Sequence, residues 1–465
     1  MPVESRGNEA IGTEYKHERG RACRDQRRRT VGSLSRAARA FAFSESALYA
    51  LAAAFAVAQA SAVAAPAPFP DPLQLSDVTE FALQNRSEVS AANARAEALA
   101  QRPAIVGALE DPMISPSIDH YPFKMMEEEG GGQRFDWSVT VEQRFPLSGV
   151  RGHRVAAARA DAQRAKAVAS VTELDVVLEA QRSFFMLQER RRMVGVLEEQ
   201  LSLARQFIKV SSSRYSSGTG TQADVLRAEV EVARVQAAQK SLAAQIRAAE
   251  AMLNTSLGRA AQDAVPELQY VASHEAPLPA SVVLDRALKS RPELIAGSAE
   301  VDRADAEIEV MRSMYKPMAM IRVGRASTMA EGAGAMVMIG VTVPIWRERL
   351  RAGVDEAKAM QRMAGADLQA MRRMVEGEAI AARETVNAAL AQSTMLEREV
   401  LPRARSATDA ALAGYSSGQG TLVAVIESAR ALWDVQAEQL MADSALGEAW
   451  ARLDRSTGVA QGARP

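Results

Sequence analysis

Cysteine is all but missing from this chain of 465 residues, and Cys23 is the only one. That rules out both a disulfide framework and a thiolate metal site. Histidine is scarce as well, and His120, His153 and His274 share no ligand spacing, so they predict no metal site. Aromatic residues make up 5% of the chain while Ala is abundant, which favours long helices over a large aromatic core. The formal net charge is -1 and no basic patch follows the N-terminus, so nucleic acid is not an expected partner. No Ser-His-Asp grouping, phosphate loop or paired-carboxylate pocket stands out, so neither an enzyme nor a cofactor is expected.

What is present begins with an address. Arg27, Arg28, Arg29, Arg36 and Arg39 precede an apolar run from Ala47 to Ala65, which closes on Ala62-Val63-Ala64. This is the charged, apolar and small-residue order of a secretory signal, so residues 1–65 are read as a signal peptide with an over-long extension. The extension suggests a translation start near Val31 or Leu34. Cys23 would leave with the signal, and the mature chain would suit an oxidising compartment.

The remainder uses one stretch twice. Tyr215 to Thr221 reads YSSGTGT, and Tyr415 to Thr421 reads YSSGQGT. Each lies between long runs rich in Ala, Arg, Glu and Gln, so each marks a sharp reversal between two helices. The chain is therefore read as a tandem duplication, with one repeat over 66–265 and the other over 266–465.

Taken in order, Leu75 to about Leu109 predicts a helix capped at Ser76 or Asp77, with Pro103 kinking it or ending it early. Residues 112–123 read as an edge-like strand interrupted by prolines. Over 133–145 the signal is clearest. Phe135, Trp137, Val139, Val141 and Phe145 alternate with Arg134, Asp136, Ser138, Thr140, Glu142 and Arg144. A period of two predicts a strand with one apolar and one wet face, long enough to span a membrane. An ordinary half-buried strand is the alternative. A helix of some 60 residues, on the order of 90 Å long, should then run from Gly152 to Ser212. Its partner returns over about 222–257, and an irregular connector follows to Pro279. The second repeat predicts strands over 318–327 and 335–345 and a helix over 347–413. Pro402 should bend that helix a turn or two before its tip, and a final helix spans 422–453.

Four strands are too few to close a membrane barrel, so they must come from several chains, with the helices reaching into the periplasm. Phe135, Trp137, Tyr121 and Trp346 are candidate interface aromatics. The expected fold class is mainly α with a small β part: duplicated long helical hairpins forming a periplasmic α-barrel, and four strands per chain contributing to a trimeric transmembrane β-barrel.

The segment VEQRFPLSGVRGHRVAAARADA and the paired motifs RYSSGTGTQADVLRAE and GYSSGQGTLVAVIESA resemble the TolC-like outer-membrane factors. LEDPMISPSIDHYPF and GTGTQADVLRAEVEVARVQ are most similar to the heavy-metal, CzcC- and CusC-like branch. The resemblance implies a homotrimer in outer-membrane lipid, of twelve strands and twelve helices, acting with a periplasmic adaptor and an inner-membrane pump of RND type. The function it implies is a passive exit duct for heavy-metal cations, with multidrug efflux or type I protein secretion as the alternative. A periplasmic coiled-coil scaffold without a barrel is a further alternative.

By the same resemblance, Ser217, Gly218, Thr219, Gly220, Ser417, Gly418, Gln419 and Gly420 are the expected adaptor-contact tips. A purely structural pair of tight turns is the competing reading. Asp224 and Glu427 are candidates for an acidic ring in the lumen, or simply favourable charge at helix N-termini. Met311, Met314, Met318, Met320, Met329, Met336 and Met338 crowd the second strand pair. They read as adaptable packing, with a thioether path for a soft ion as the alternative.

Overall fold

A computed structural model describes residues 69–120, 135–271, 275–328 and 330–459. The expected signal peptide, Tyr121, Arg134, His274 and Met329 lie outside the described residues. Two short helices open the first half, α1 (Leu75–Asn85) and α2 (Ser87–Gly107). The cap of α1 is Gln74, not Ser76 or Asp77. Asp77 sits at the third helical position and accepts from the Gln74 backbone N–H at 3.0 Å.

The single helix expected here is broken at Arg86, whose backbone is extended (φ -71°, ψ 125°), and Pro103 is carried inside α2 without ending it. The break has a reason in the Arg86 side chain. Its guanidinium donates to Glu88 at 3.0 Å, to Glu179 at 3.0 Å and to the Thr255 carbonyl at 3.3 Å. Helical backbone at Arg86 would aim that fork elsewhere.

The second half repeats the device. Helices α5 (Ala280–Ser290) and α6 (Pro292–Ser313) part at Arg291, which is buried. Arg291 donates to Glu293 at 2.9 Å, to Glu378 at 2.9 Å and to the Ser456 carbonyl at 3.2 Å. Around each node lies an apolar cluster, centred on Phe184, Leu187 and Leu253 in one half and on Val375, Val386 and Leu453 in the other.

Strands β1 (Met113–His120), β2 (Asp136–Pro146), β3 (Met318–Thr328) and β4 (Gly332–Thr342) form one antiparallel sheet in that order. β2 pairs with β3 from Trp137 to Pro146, so the two halves share the sheet. β4 starts and ends three residues earlier than the pattern suggested. Gly332, at φ +74°, turns the hairpin directly, and Pro344 cannot donate to a continuing ladder.

Faces are reversed relative to a water-soluble sheet. Ser138, Thr140 and Glu142 are buried, whereas Val139, Val141, Val337, Ile339 and Val341 are exposed. No helix among the described residues is long and apolar enough to cross a membrane. On the sheet, apolar side chains are presented outward.

From the sheet, α3 (Val150–Ser216) runs for 67 residues, on the order of 100 Å, and α4 (Gln222–Ser256) returns along it. The counterpart in the second half is α7 (Arg347–Met395), a π-helical turn at Leu396–Val400, and α8 (Leu401–Ser416), with α9 (Leu422–Thr457) returning. Pro402 opens α8 just past the π turn. The irregularity therefore lies further from the tip than expected: the missing N–H of Pro402 releases a carbonyl one turn earlier, and the extra residue of the π turn absorbs the mismatch.

Candidate functional site

Two hairpin tips stand at the far end of the long helices, and their backbones are the same. At the first, Gly218 (φ +76°) follows the end of α3. Its N–H donates to the Tyr215 carbonyl at 3.0 Å, and the N–H of Thr219 donates to the Arg214 carbonyl at 2.9 Å. At the second, Gly418 (φ +85°) donates to Tyr415 at 3.1 Å and Gln419 donates to Gly414 at 2.9 Å. This is the glycine-terminated Schellman arrangement that satisfies a helix's last carbonyls. Gly220 and Gly420 sit in close quarters, since an added Cβ would lie 3.0 Å from the Arg214 side chain and 3.2 Å from the Tyr415 nitrogen, respectively.

Each returning helix begins on a threonine. Thr221 Oγ1 accepts from the Asp224 N–H at 3.2 Å, and Thr421 Oγ1 accepts from the Ala424 N–H at 3.3 Å. Ser217, Gly218 and Thr219 are exposed, as are Ser417, Gly418, Gln419 and Gly420, while Gly220 is half-buried.

Asp224 belongs to the capping of its own helix: it forms a capping box with Thr221 and lies 3.5 Å from Arg227. Glu427 is exposed on α9, in a groove of about 380 Å³ between α4 and α9. Leu226, Val230, Val423 and Ile426 line the apolar part of that groove, and Arg227, Glu231 and Arg430 its charged part.

Three features of the tips escaped the sequence reading. The first is Arg214, whose guanidinium stacks 4.7 Å over the Tyr415 ring, donates to the Tyr415 carbonyl and donates to the Thr219 carbonyl at 3.1 Å. One side chain thus ties both tips together. The second is Tyr415 itself, 2% exposed and packed with Phe207, Leu422 and Val425, while Tyr215 is 51% exposed. Burial pushes the Tyr415 phenol above its usual value of 10.0, and the negative charge of Asp224 adds to the rise.

The third is Glu231, a buried carboxylate of α4 that takes Arg234 at 3.0 Å and Arg430 of α9 through Nε at 3.2 Å. Only Arg227, four residues before this glutamate, and Arg234, three residues after it, hinted at such pairing. On the sheet, Glu142 holds Arg144 at 3.0 Å and, across strands, Arg322 Nε at 3.1 Å. Among the described residues no group of three or more His, Cys, Asp or Glu side chains is placed to hold a metal.

A sheet that turns apolar side chains outward on one face, continuous with paired helices of this length, has the architecture of membrane-spanning strands joined to a long extramembrane part. The chain belongs to the outer membrane efflux protein family, whose model matches residues 78–259 and 283–459. It is 25% identical over 325 residues to the cobalt-zinc-cadmium resistance protein CzcC of Cupriavidus metallidurans, covering 69% of this chain and 77% of that protein. It is also 25% identical over 393 residues to the pyoverdine export outer membrane protein OpmQ of Pseudomonas putida, covering 79% and 82%.

The fold matches the solved structure of CusC with a TM-score of 0.73 at 16% identity, covering 83% of this chain and 92% of that one. It matches VceC of Vibrio cholerae with a TM-score of 0.69 at 16% identity, covering 83% and 96%. The protein is accordingly an outer-membrane protein that extends into the periplasm, and its fold is that of the efflux channels.

Proposed function

We propose that this protein is the exit duct of a tripartite efflux system that expels heavy-metal cations, working as a homotrimer with a periplasmic adaptor and an inner-membrane pump of the RND type. One observation carries the reading. The apolar side chains Val139, Val141, Val337, Ile339 and Val341 of the sheet are exposed while Ser138, Thr140 and Glu142 on the opposite face of β2 are buried, and helices on the order of 100 Å lead from the sheet to exposed polar turns. Edge strands β1 and β4 cannot remain unpaired in lipid, and four strands are too few to close. Three copies would give twelve strands, enough for a barrel with the Ser138, Thr140 and Glu142 face toward the lumen.

The tips suit docking. Ser217, Gly218, Thr219, Gly220, Ser417, Gly418, Gln419 and Gly420 bear small side chains or none, apart from Thr219 and Gln419, and partner helix ends would approach the backbone closely there. The adjoining groove between α4 and α9 supplies apolar surface with a charged rim. Asp224, engaged at its own helix start, is read as favourable charge at that N-terminus and not as a member of an acidic lumen ring.

The metal assignment leans on the likeness to a cobalt-zinc-cadmium resistance protein, and the likeness to a pyoverdine exporter supports export of small organic compounds as the second reading. Deleting the gene and challenging cells with Co, Zn, Cd, Cu, Ag and a set of dyes and antibiotics separates the two. Hypersensitivity to metals alone is expected. Hypersensitivity confined to organic compounds would overturn the metal assignment.

A further inference from the structure

The methionines crowded into the second strand pair fall into an order that the register of β3 and β4 makes plain. Cross-strand partners on the polar face are Met318 with Thr342, Met320 with Gly340, Arg322 with Met338, and Gly324 with Met336. Each of these four consecutive rungs carries one thioether. Same-face rungs lie about 6.7 Å apart, so the ladder rises roughly 20 Å along the barrel wall. Met320 and Met338 are diagonal neighbours across strands, about 7–8 Å apart at the backbone, which two flexible methionines can bridge. Met113 stands at the same level on β1, opposite Glu142.

Packing does not account for Met318 and Met338. The outward face of the same two strands carries Ala319, Ile321, Val323, Ala333, Ala335, Val337, Ile339 and Val341, with Arg325 and Ser327 toward the hairpin end, and no methionine, although lipid would accept one readily. Met318 and Met338 are 37% and 42% exposed, so they fill no core. Met320 crosses toward its glycine partner, its Cε lying 2.8 Å from where a Gly340 Cβ would stand. The one cation in the ladder, Arg322, is engaged by Glu142 on the side away from β4.

We propose that Met318, Met320, Met338 and Met336 form a thioether ladder on the lumen wall that takes a soft monovalent cation, Cu(I) or Ag(I), as cargo in transit. Thioether sulfur prefers such ions over Zn(II) or Co(II), and rungs at near-equal spacing offer successive weak sites in place of one tight trap. This rests on the duct reading above for the placement of the polar face toward a lumen, and it names the metal class that the reading leaves open.

The test uses the full-length trimer in detergent, titrated with Ag(I), with bound silver counted after dialysis and its neighbours identified by X-ray absorption. Wild-type protein should bind silver with sulfur neighbours. The M318L/M320L/M336L/M338L variant, which conserves volume and apolarity, should bind it at least about tenfold more weakly, given that leucine offers no soft donor. Sulfur neighbours in the wild type are informative even if the fourfold variant fails to assemble, and M320L and M338L alone should each weaken binding. Silver held equally well by the variant, silver with only oxygen or nitrogen neighbours, or Co(II) bound as tightly as Ag(I) would each overturn the ladder. Because this assay involves no export, its outcome is independent of the gene-deletion phenotype that judges the duct reading.

Discussion

The two hairpin tips share a turn and differ in almost everything around it. Both end a helix on a left-handed glycine, and both start the next on a threonine cap. Yet Tyr415 is packed against Phe207 and Leu422 while Tyr215 stands in solvent. Arg214 reaches across from the first tip to the second, whereas its counterpart in the second motif is Gly414 and reaches nowhere. A duplicated motif has thus kept its backbone and divided its side-chain roles. One tip supplies a clamp and the other supplies the surface that is clamped.

The largest expected effect contrasts the two tyrosines. Replacing Tyr415 with Ala should destabilise the tip region by about 3–5 kcal/mol, as for a buried aromatic, while Tyr215→Ala should stay within about 0.5 kcal/mol. Hydrogen exchange of residues 405–430 reads the difference. Because the Tyr415 hydroxyl is buried without a hydrogen-bond partner among the described residues, Tyr415→Phe should be neutral or slightly stabilising, and a clear loss would place a missing partner at that oxygen.

Next comes the clamp. Arg214→Ala removes bonds to two carbonyls and the stacking over Tyr415, and should raise exchange at 415–421 by an amount equivalent to about 1–3 kcal/mol. Lys at this position should not restore protection, since an ammonium lacks the planar fork. Protection unchanged in R214A would mean that the tips are held independently.

The backbone, by contrast, should not discriminate. Gly218→Ala and Gly418→Ala force a side chain into a left-handed conformation and should each cost about 1–2 kcal/mol. A Cβ meets nothing within 4 Å at Gly218 and only the Arg214 guanidinium at 3.7 Å at Gly418. Unequal melting shifts would contradict the equivalence of the two turns.

The smallest effect concerns the arginine nodes of the two halves. Burial pushes the Glu293 carboxyl up, but its own backbone N–H together with Arg455 and Arg291 more than offsets this and holds it below 4.5. Glu88 is lowered as well, by its own backbone N–H and by Arg86. Depressed carboxylates contribute stability above the unfolded value, and that contribution is lost as pH falls through the folded one. Thermal stability should therefore decline as pH drops below 4.5, and E293Q should flatten the acid limb more than E88Q, because Glu293 also holds Arg455 at 2.7 Å.

Much of this fold is legible in the sequence because its signals are periodic. Strand β2 announces itself by strict alternation, and the tips by glycines standing alone within long helical runs. The ends of elements were harder. Arg86 breaks a helix with no proline or glycine to mark it, since the cause is a guanidinium that must reach residues 93 and 169 positions away. Gly332 set a tighter hairpin than the apolar run implied. The clamp lay beyond reach for the same reason: Arg214 and Tyr415 are 201 residues apart, and nothing in YSSG tells which copy is buried. The methionine ladder was visible as a crowd but not as an order, because only the register assigns one sulfur to each rung.

The most direct test of the account places a photo-crosslinking residue at Thr219 or Gln419, both exposed, in cells that carry the partner adaptor. Adducts with the adaptor are expected from both tips and none from Val139 on the apolar face of the sheet. If neither tip yields an adaptor adduct in cells whose metal tolerance is intact, docking lies elsewhere and the tips are turns alone.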